Sequence, residues 1–248
     1  MPRKIITLLV ILASFSSVKA QYGRTYQEVG IMAGPVFFQS DFGARGEFEN
    51  AVKNVGISGG IFYYLSLNND RSDFAANFKI RLEASFMRVE LKHYGQYVEG
   101  DSDFSNKLKA MSSTVKAGSV GAQLEYYPFK TDDYTRATFS PYVSFGGQLT
   151  SYNVKAVSEL GPIGTPISVP VKYIDGFKSD SGFTPSVTAS LGFRIKLSEY
   201  HALIADARIQ YFFTDWMDGM NPDRRVYTEN KTNDYTATLN MGYVYYFN

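Results

Sequence analysis

The chain has 248 residues, 25 basic against 24 acidic, and no cysteine. That balance gives no reason to propose a nucleic-acid partner. The absent thiols exclude a disulfide framework, a thiolate metal site and a lipidated N-terminal cysteine.

The first twenty residues, MPRKIITLLVILASFSSVKA, carry a basic start at Arg3 and Lys4, an apolar stretch from Ile5 to Ala13, and small residues Val18 and Ala20 before Gln21. This pattern predicts a secretory signal peptide over 1–20, and the apolar stretch falls short of the roughly 20 residues of a spanning helix. No later stretch is apolar for about 18 residues, so no transmembrane helix is expected. Yet 16% of the chain is aromatic, with 19 Tyr and 19 Phe. Over 21–248 these features leave an outer-membrane β-barrel or a large exported β domain.

Eight segments alternate with a period of two: 27–38, 55–67, 77–91, 114–128, 138–153, 184–198, 201–214 and 233–248. Period two predicts strands, and most reach the roughly 9–11 residues of a tilted membrane strand. In the third, Phe78, Ile80, Leu82, Ala84 and Phe86 oppose Lys79, Arg81, Glu83 and Ser85. In the sixth, Val187 to Leu197 oppose Ser186 to Lys196. In the seventh, Leu203 to Phe213 oppose Asp206, Arg208 and Gln210. In the last, Leu239, Met241, Tyr243, Tyr245 and Phe247 oppose Thr238, Asn240 and Gly242.

Alternation alone does not say which face points outward; connections and aromatics do. Long gaps near 39–54, 92–113, 154–183 and 215–232 alternate with short ones near 68–76, 129–137 and 199–200. Outer-membrane barrels have long extracellular loops and short periplasmic turns. The expected fold is therefore all-β, an eight-stranded antiparallel transmembrane barrel of the outer-membrane type. Outer-membrane lipid is its expected surroundings. Phe37, Tyr211 and Phe213 fall at the outer interface, together with Phe38 and Tyr152. The Tyr-Tyr pairs Tyr63–Tyr64, Tyr126–Tyr127 and Tyr245–Tyr246 fall at the inner one with Tyr243 and Phe247, where an amphipathic ring is at home.

The inward set then carries Glu28, Lys79, Arg81, Glu83, Glu125, Arg194, Lys196, Asp206 and Arg208. Charges of both signs in a narrow lumen should pair into a structural network, with a charged pore or proton path as the alternative. The two histidines, His93 and His201, fall on opposite sides of the membrane and cannot share a site. His93 is expected at the surface of the outer mouth. A triad there with a serine and an aspartate is the alternative, though no motif fixes one. The last long gap, FTDWMDGMNPDRR, holds Asp215, Asp218 and Asp223 with Gly219 and Asn221; a turn-forming loop is expected and a weak calcium site is the alternative. Trp216 is expected to anchor this loop at the interface. No catalytic, cofactor or metal residue is assigned.

The stretches EVGIMAGPVFFQSDFG, QLEYYPF and YFFTDWMDGMNPD resemble the small outer-membrane barrels of Bacteroidota, of the PorG-like kind. The resemblance spans most of the chain after residue 20 and implies an outer-membrane location. It also implies a non-enzymatic structural or scaffolding role as an accessory of type IX secretion, with periplasmic or secretion-machinery proteins as partners. It supplies no catalytic residue. A ligand-binding or small-solute transport barrel, or a membrane-embedded enzyme using His93, are the other readings of the residues.

Overall fold

A computed structural model describes residues 27–43, 48–66, 75–129, 139–223, 225–226 and 232–247. The expected signal peptide over 1–20, most of the 68–76 turn and nearly all of the 129–137 turn lie outside the described residues. Eight strands close into one antiparallel barrel, each paired with its sequence neighbours and the last with the first. They are β1 (Gln27–Gln39), β2 (Val55–Ser66), β3 (Phe78–Lys92), β4 (Met111–Tyr126), β5 (Phe139–Ser158), β6 (Ser181–Lys196), β7 (His201–Phe212) and β8 (Tyr235–Phe247). Each coincides with an expected segment to within about three residues, apart from a longer outer end on β5. Two helices, α1 (Phe48–Lys53) and α2 (Asp103–Ala110), lie in the long connections.

Closure is what makes this chain compatible with lipid, because each strand is paired along both sides and no edge is left. Following one row of paired residues around the wall shows how the strands tilt. The row runs Phe247, Gln27, Leu65, Ile80, Leu124, Phe145, Ala189, Ile209 and back to β8 at Ala237, an offset of ten residues. That stagger in an eight-stranded wall corresponds to a tilt of about 41°, taking a rise of about 3.3 Å per residue and about 4.7 Å between strands. Glycine lets the tilted wall pack tightly at Gly192, where an added Cβ would stand 2.5 Å from both the Ala205 carbonyl oxygen and the Tyr142 hydroxyl.

The outward face is apolar over a broad belt that includes Ile31, Ile61, Phe86, Val120, Phe145, Leu149, Leu191, Leu203, Ile209, Leu239 and Met241. Burying a side chain of this size is worth about 1.5–3 kcal/mol, so a continuous belt of them is built for lipid rather than water. Phe37, Tyr63, Tyr126, Tyr211, Phe213, Tyr243, Tyr245 and Phe247 sit on that outward side, towards the ends of their strands. Two expected members of the outer girdle point the other way. Phe38 is buried at 2% exposure, and Tyr152 packs inward against the apolar cluster described below. The Tyr-Tyr pairs split for the same reason of alternation: Tyr63, Tyr126 and Tyr245 face out, while Tyr64, Tyr127 and Tyr246 face in.

A second departure is larger. On β3 the outward apolar series ends at Phe86; beyond it Met87, Val89 and Leu91 turn inward and Arg88, Glu90 and Lys92 turn outward. β4 and β5 do the same, with Val115 and Val154 inward and Lys116, Asn153 and Lys155 outward. These strands continue past the lipid, where the solvent outside is water, and the polarity of the two faces reverses accordingly. The ion-rich part of the lumen is therefore confined to the periplasmic half, where Met32, Phe62, Ile204 and Val244 also point inward beside the charges.

Candidate functional site: a filled lumen under a closed cap

In the periplasmic half, among the described residues, four acids and four bases form one connected array. Lys79 and Arg194 both pair with Glu28, and Arg194 Nη2 also donates to Glu125 Oε2 at 3.0 Å. Arg81 Nη1 donates to Glu125 Oε1 at 2.9 Å and to Asp206 Oδ2 at 3.2 Å, while its Nε lies 3.3 Å from Glu83. Arg208 closes the array on Glu83 at 3.2 Å and Asp206 at 3.4 Å. Formal charges cancel, which is the condition under which ions can be held out of water. Neutral groups take up further lone pairs: Tyr127 and Tyr142 hydroxyls donate to Glu125 at 2.6 Å and Asp206 at 2.8 Å, and Gln123 donates to Glu83 at 3.0 Å.

The array spans the barrel because its ions come from β1, β3, β4, β6 and β7, with Tyr142 reaching in from β5. It rests on a floor of inward aromatics. The Arg194 guanidinium lies over the Tyr64 ring at 4.1 Å from its centre and the Arg81 guanidinium lies 5.6 Å from Phe62. Tyr64, Tyr127 and Tyr142 are all nearly or fully buried. Eight of the nine expected lumen charges thus meet in one array; the ninth, Lys196, stands at the rim over Tyr246, 5.8 Å from its ring centre.

Above the array lies a small cavity of about 30 Å³, bordered by Ser58, Ser119, Arg208 and Gln210 on one hand and by Met32 and Phe62 on the other. That is room for a water or two with several polar partners, and not for a solute.

The outer half of the lumen is closed a second time, by apolar side chains. Val36, Phe38, Val89, Leu91, Val115, Val154 and Phe212 point in from the wall, and Phe42, Leu108, Val169, Tyr173, Met217 and Met220 descend on them from the connections. All four long connections are stitched together over this core. Gly43 N–H donates to His93 Nδ1 at 2.9 Å, and Asp41 N–H donates to Asp218 Oδ2 at 2.8 Å. The Ser113 hydroxyl donates to the Asp218 carbonyl at 2.6 Å. Lys178 N–H donates to the Gly219 carbonyl at 2.9 Å, where Gly219 turns with φ of +82°. Sequence reasoning missed this cap. The signal was there as adjacent apolar residues in opposite phase, Phe86 and Met87 on β3.

His93 is a correction. It was expected at the surface, but it is 7% exposed and walled by Phe42 and Tyr173, with ring centres 4.8 and 6.2 Å away. Its Nδ1 is the acceptor for Gly43, so Nε2 carries the proton. Burial first, and the nearby Lys172 second, push its pKa down to about 3, which keeps the ring neutral. His201 lies at the opposite, periplasmic end against the Tyr243 hydroxyl, so the two do not share a site.

The acidic loop is also rearranged. Asp223 is at the surface and pairs with Arg225, which lowers its pKa. Asp215 and Asp218 are instead buried with Asp41 and Asp234. Asn221, with its amide oriented by this network, donates to Asp215 at 3.3 Å and accepts from Trp216 Nε1 at 3.2 Å. Burial and mutual repulsion raise the pKa of Asp218 and Asp234 well above the ordinary carboxylate range. No group of three or more histidines or carboxylates among the described residues has the arrangement of a metal site, so the calcium alternative gains no support.

No family model matches the chain, and no curated protein sequence matches it. Solved outer-membrane proteins do resemble it in fold. A major outer membrane protein of Thermus thermophilus is 14% identical with a TM-score of 0.49, over 91% of this chain and 100% of that one. Neisserial surface protein A is 14% identical with a TM-score of 0.47, over 89% and 97%. Ail, the attachment invasion locus protein of Yersinia pestis, is 13% identical with a TM-score of 0.44, over 91% and 100%. The chain itself is a small, closed, eight-stranded antiparallel barrel with an apolar outward belt.

Proposed function

We propose that the chain is exported by a signal peptide over 1–20 and works in the outer membrane as a non-conducting, non-enzymatic structural barrel. The observation that carries this reading is the double closure of the lumen: a charge-balanced array across one half and an apolar core under stitched loops across the other. Such an interior leaves function to the surfaces. It speaks against the small-solute transport reading. The enzyme reading loses its candidate base, because His93 is walled by rings and its Nδ1 is occupied by Gly43 N–H.

Within this reading the barrel serves as a scaffold for a secretion apparatus of the type IX kind, as the PorG-like stretches near the start, middle and end of the chain suggest. Two measurements test it. In planar bilayers the barrel should show no stepwise conductance; a stable open level would refute the closed lumen. Mild-detergent extraction of native outer membranes should bring periplasmic secretion components down with the barrel. A barrel that migrates alone after cross-linking would remove the scaffold role while leaving the closed fold intact.

A further inference from the structure

The reversal of polarity on β3, β4 and β5 fixes where the lipid ends, and the outer girdle changes character at that level. On β1, at and one residue beyond the outer end of β7, and on β8 the outward residues there are Phe37, Tyr211, Phe213 and Tyr235. On β6 it is Phe183, which is 84% exposed. On β3 and β4 the corresponding residues are Arg88 and Lys116. With the ten-residue stagger, Arg88, Lys116, Phe213 and Tyr235 stand within about 5 Å of one height along the barrel axis, taking a tilt of about 41°. Two cations thus replace the aromatic girdle over one sector of the wall.

Arg88 and Lys116 are direct cross-strand partners. Outward-facing residues so paired have Cβ atoms about 4.5–5.5 Å apart, and like charges in that position repel. Lys116 is in turn paired with Asn153, and Lys155 follows Asn153 two residues further out on the same face. Among the described residues no carboxylate pairs with Arg88, Lys116 or Lys155, and the nearest acid along β3, Glu90, is already engaged by Lys92 at 3.7 Å. An anion between Arg88 and Lys116 turns the repulsion into attraction. The anions held at this height by the barrel's own surroundings are the phosphates of the outer leaflet.

We propose that Arg88 and Lys116, with Asn153 as a hydrogen-bond donor and Lys155 above them, form a binding site for the phosphate of a phosphorylated glycolipid headgroup in the outer leaflet. The Arg88 guanidinium offers the fork that suits phosphate oxygens, and Lys116 supplies a point charge beside it. The apolar wall below, with Phe86 on β3 and Val120 on β4, takes the acyl chains of the same lipid. The site rests on the outer-membrane reading of the fold, and it orients one lipid species on one sector of the wall.

The test uses the purified barrel in phosphatidylcholine vesicles doped with bis-phosphorylated lipid A, or with its phosphate-free analogue. The readout is the glycolipid retained per barrel after detergent re-extraction. Gel mobility with and without heating reports insertion of each variant separately, so a lost fold and a lost site are told apart. The wild type should retain the phosphorylated lipid at least tenfold better than the phosphate-free one. The Arg88→Gln/Lys116→Gln variant, once inserted, should lose that preference, and Lys116→Arg should keep it. Lys109→Gln, on helix α2 of the cap, should also keep it. Equal retention of both lipids, an unchanged preference in the double variant, or an equal loss in Lys109→Gln would overturn the site. So would displacement of the lipid by inorganic phosphate at the concentration where inorganic phosphate alone binds. If no protein inserts into either vesicle, the outer-membrane reading itself has failed.

Discussion

Arg81 is the residue on which the lumen array turns. It is fully buried, donates to Glu125 and Asp206 at 2.9 and 3.2 Å, and lies 3.3 Å from Glu83. Replacing it by Met keeps much of the side-chain volume and removes the charge. The array then holds four acids against three bases, with two of those acids losing their closest cation. Breaking a buried ion pair from one side costs about 3–5 kcal/mol. Because Arg81 serves three carboxylates, the Arg81→Met barrel should lose at least about 3 kcal/mol, more than a hundredfold in the folding equilibrium. The double variant Arg81→Met/Glu125→Gln leaves three acids and three bases, so it should recover about 2 kcal/mol of that loss. Reversible urea unfolding in lipid vesicles, followed by the fluorescence of Trp216 and by heat-modifiable gel mobility, measures both. A single variant within about 1 kcal/mol of wild type would refute the claim that the ions are mutually held out of water. So would strictly additive losses in the double variant.

Other outcomes follow from the same geometry. Gly192→Ala should push the Tyr142 ring off Asp206, since the new Cβ would meet the hydroxyl at 2.5 Å, and cost about 1–3 kcal/mol in the same assay. His93 is neutral in the fold with its pKa depressed to about 3 from 6.5, so the stability it contributes is present above 6.5 and is lost as pH falls from 6.5 towards 3. At pH 5 the loss attributable to His93 is about 2 kcal/mol, and His93→Gln should remove that acid sensitivity in a pH series of cap proteolysis. Asp234 titrates in the opposite sense. Its raised pKa means that its stabilising share is full below the ordinary carboxylate range and is lost as pH rises through its folded value. Asp234→Asn keeps an acceptor for Met217 N–H and should therefore protect the cap at pH 7–8 while changing little at pH 4.

The wall of the barrel was legible in the sequence because lipid and lumen impose opposite demands on alternate residues. Strand β8 reads off directly, with Leu239, Met241 and Tyr243 set against Asn240 and Thr238. The charges of the lumen were legible for the same reason, since Glu28, Arg81 and Arg194 have no other way to be buried. Which ions pair was not legible, because the partners come together only through the ten-residue stagger of a closed wall. The cap was missed because its core is assembled from single residues of many segments, such as Phe42, Leu108, Val169 and Met217. No one segment carries a period. His93 was misplaced with it: nothing next to it in the chain announces that Gly43 and Tyr173 will cover it. The acids of the last loop were half legible. Asp215 and Asp218 were singled out, but their neighbours proved to be Asp41 and Asp234 from outside the motif.

The central claim is that lipid surrounds the wall while the polar and capped interior stays closed to it. A fluorophore placed singly at Leu203 or Leu239 on the outward belt, or at Met87 on the inward face of β3, reads this directly in vesicles carrying a lipid-attached quencher. The account predicts strong quenching at Leu203 and Leu239 and little at Met87. Leu203 and Leu239 unquenched by the lipid probe in a folded barrel, with Met87 quenched in their place, would contradict it.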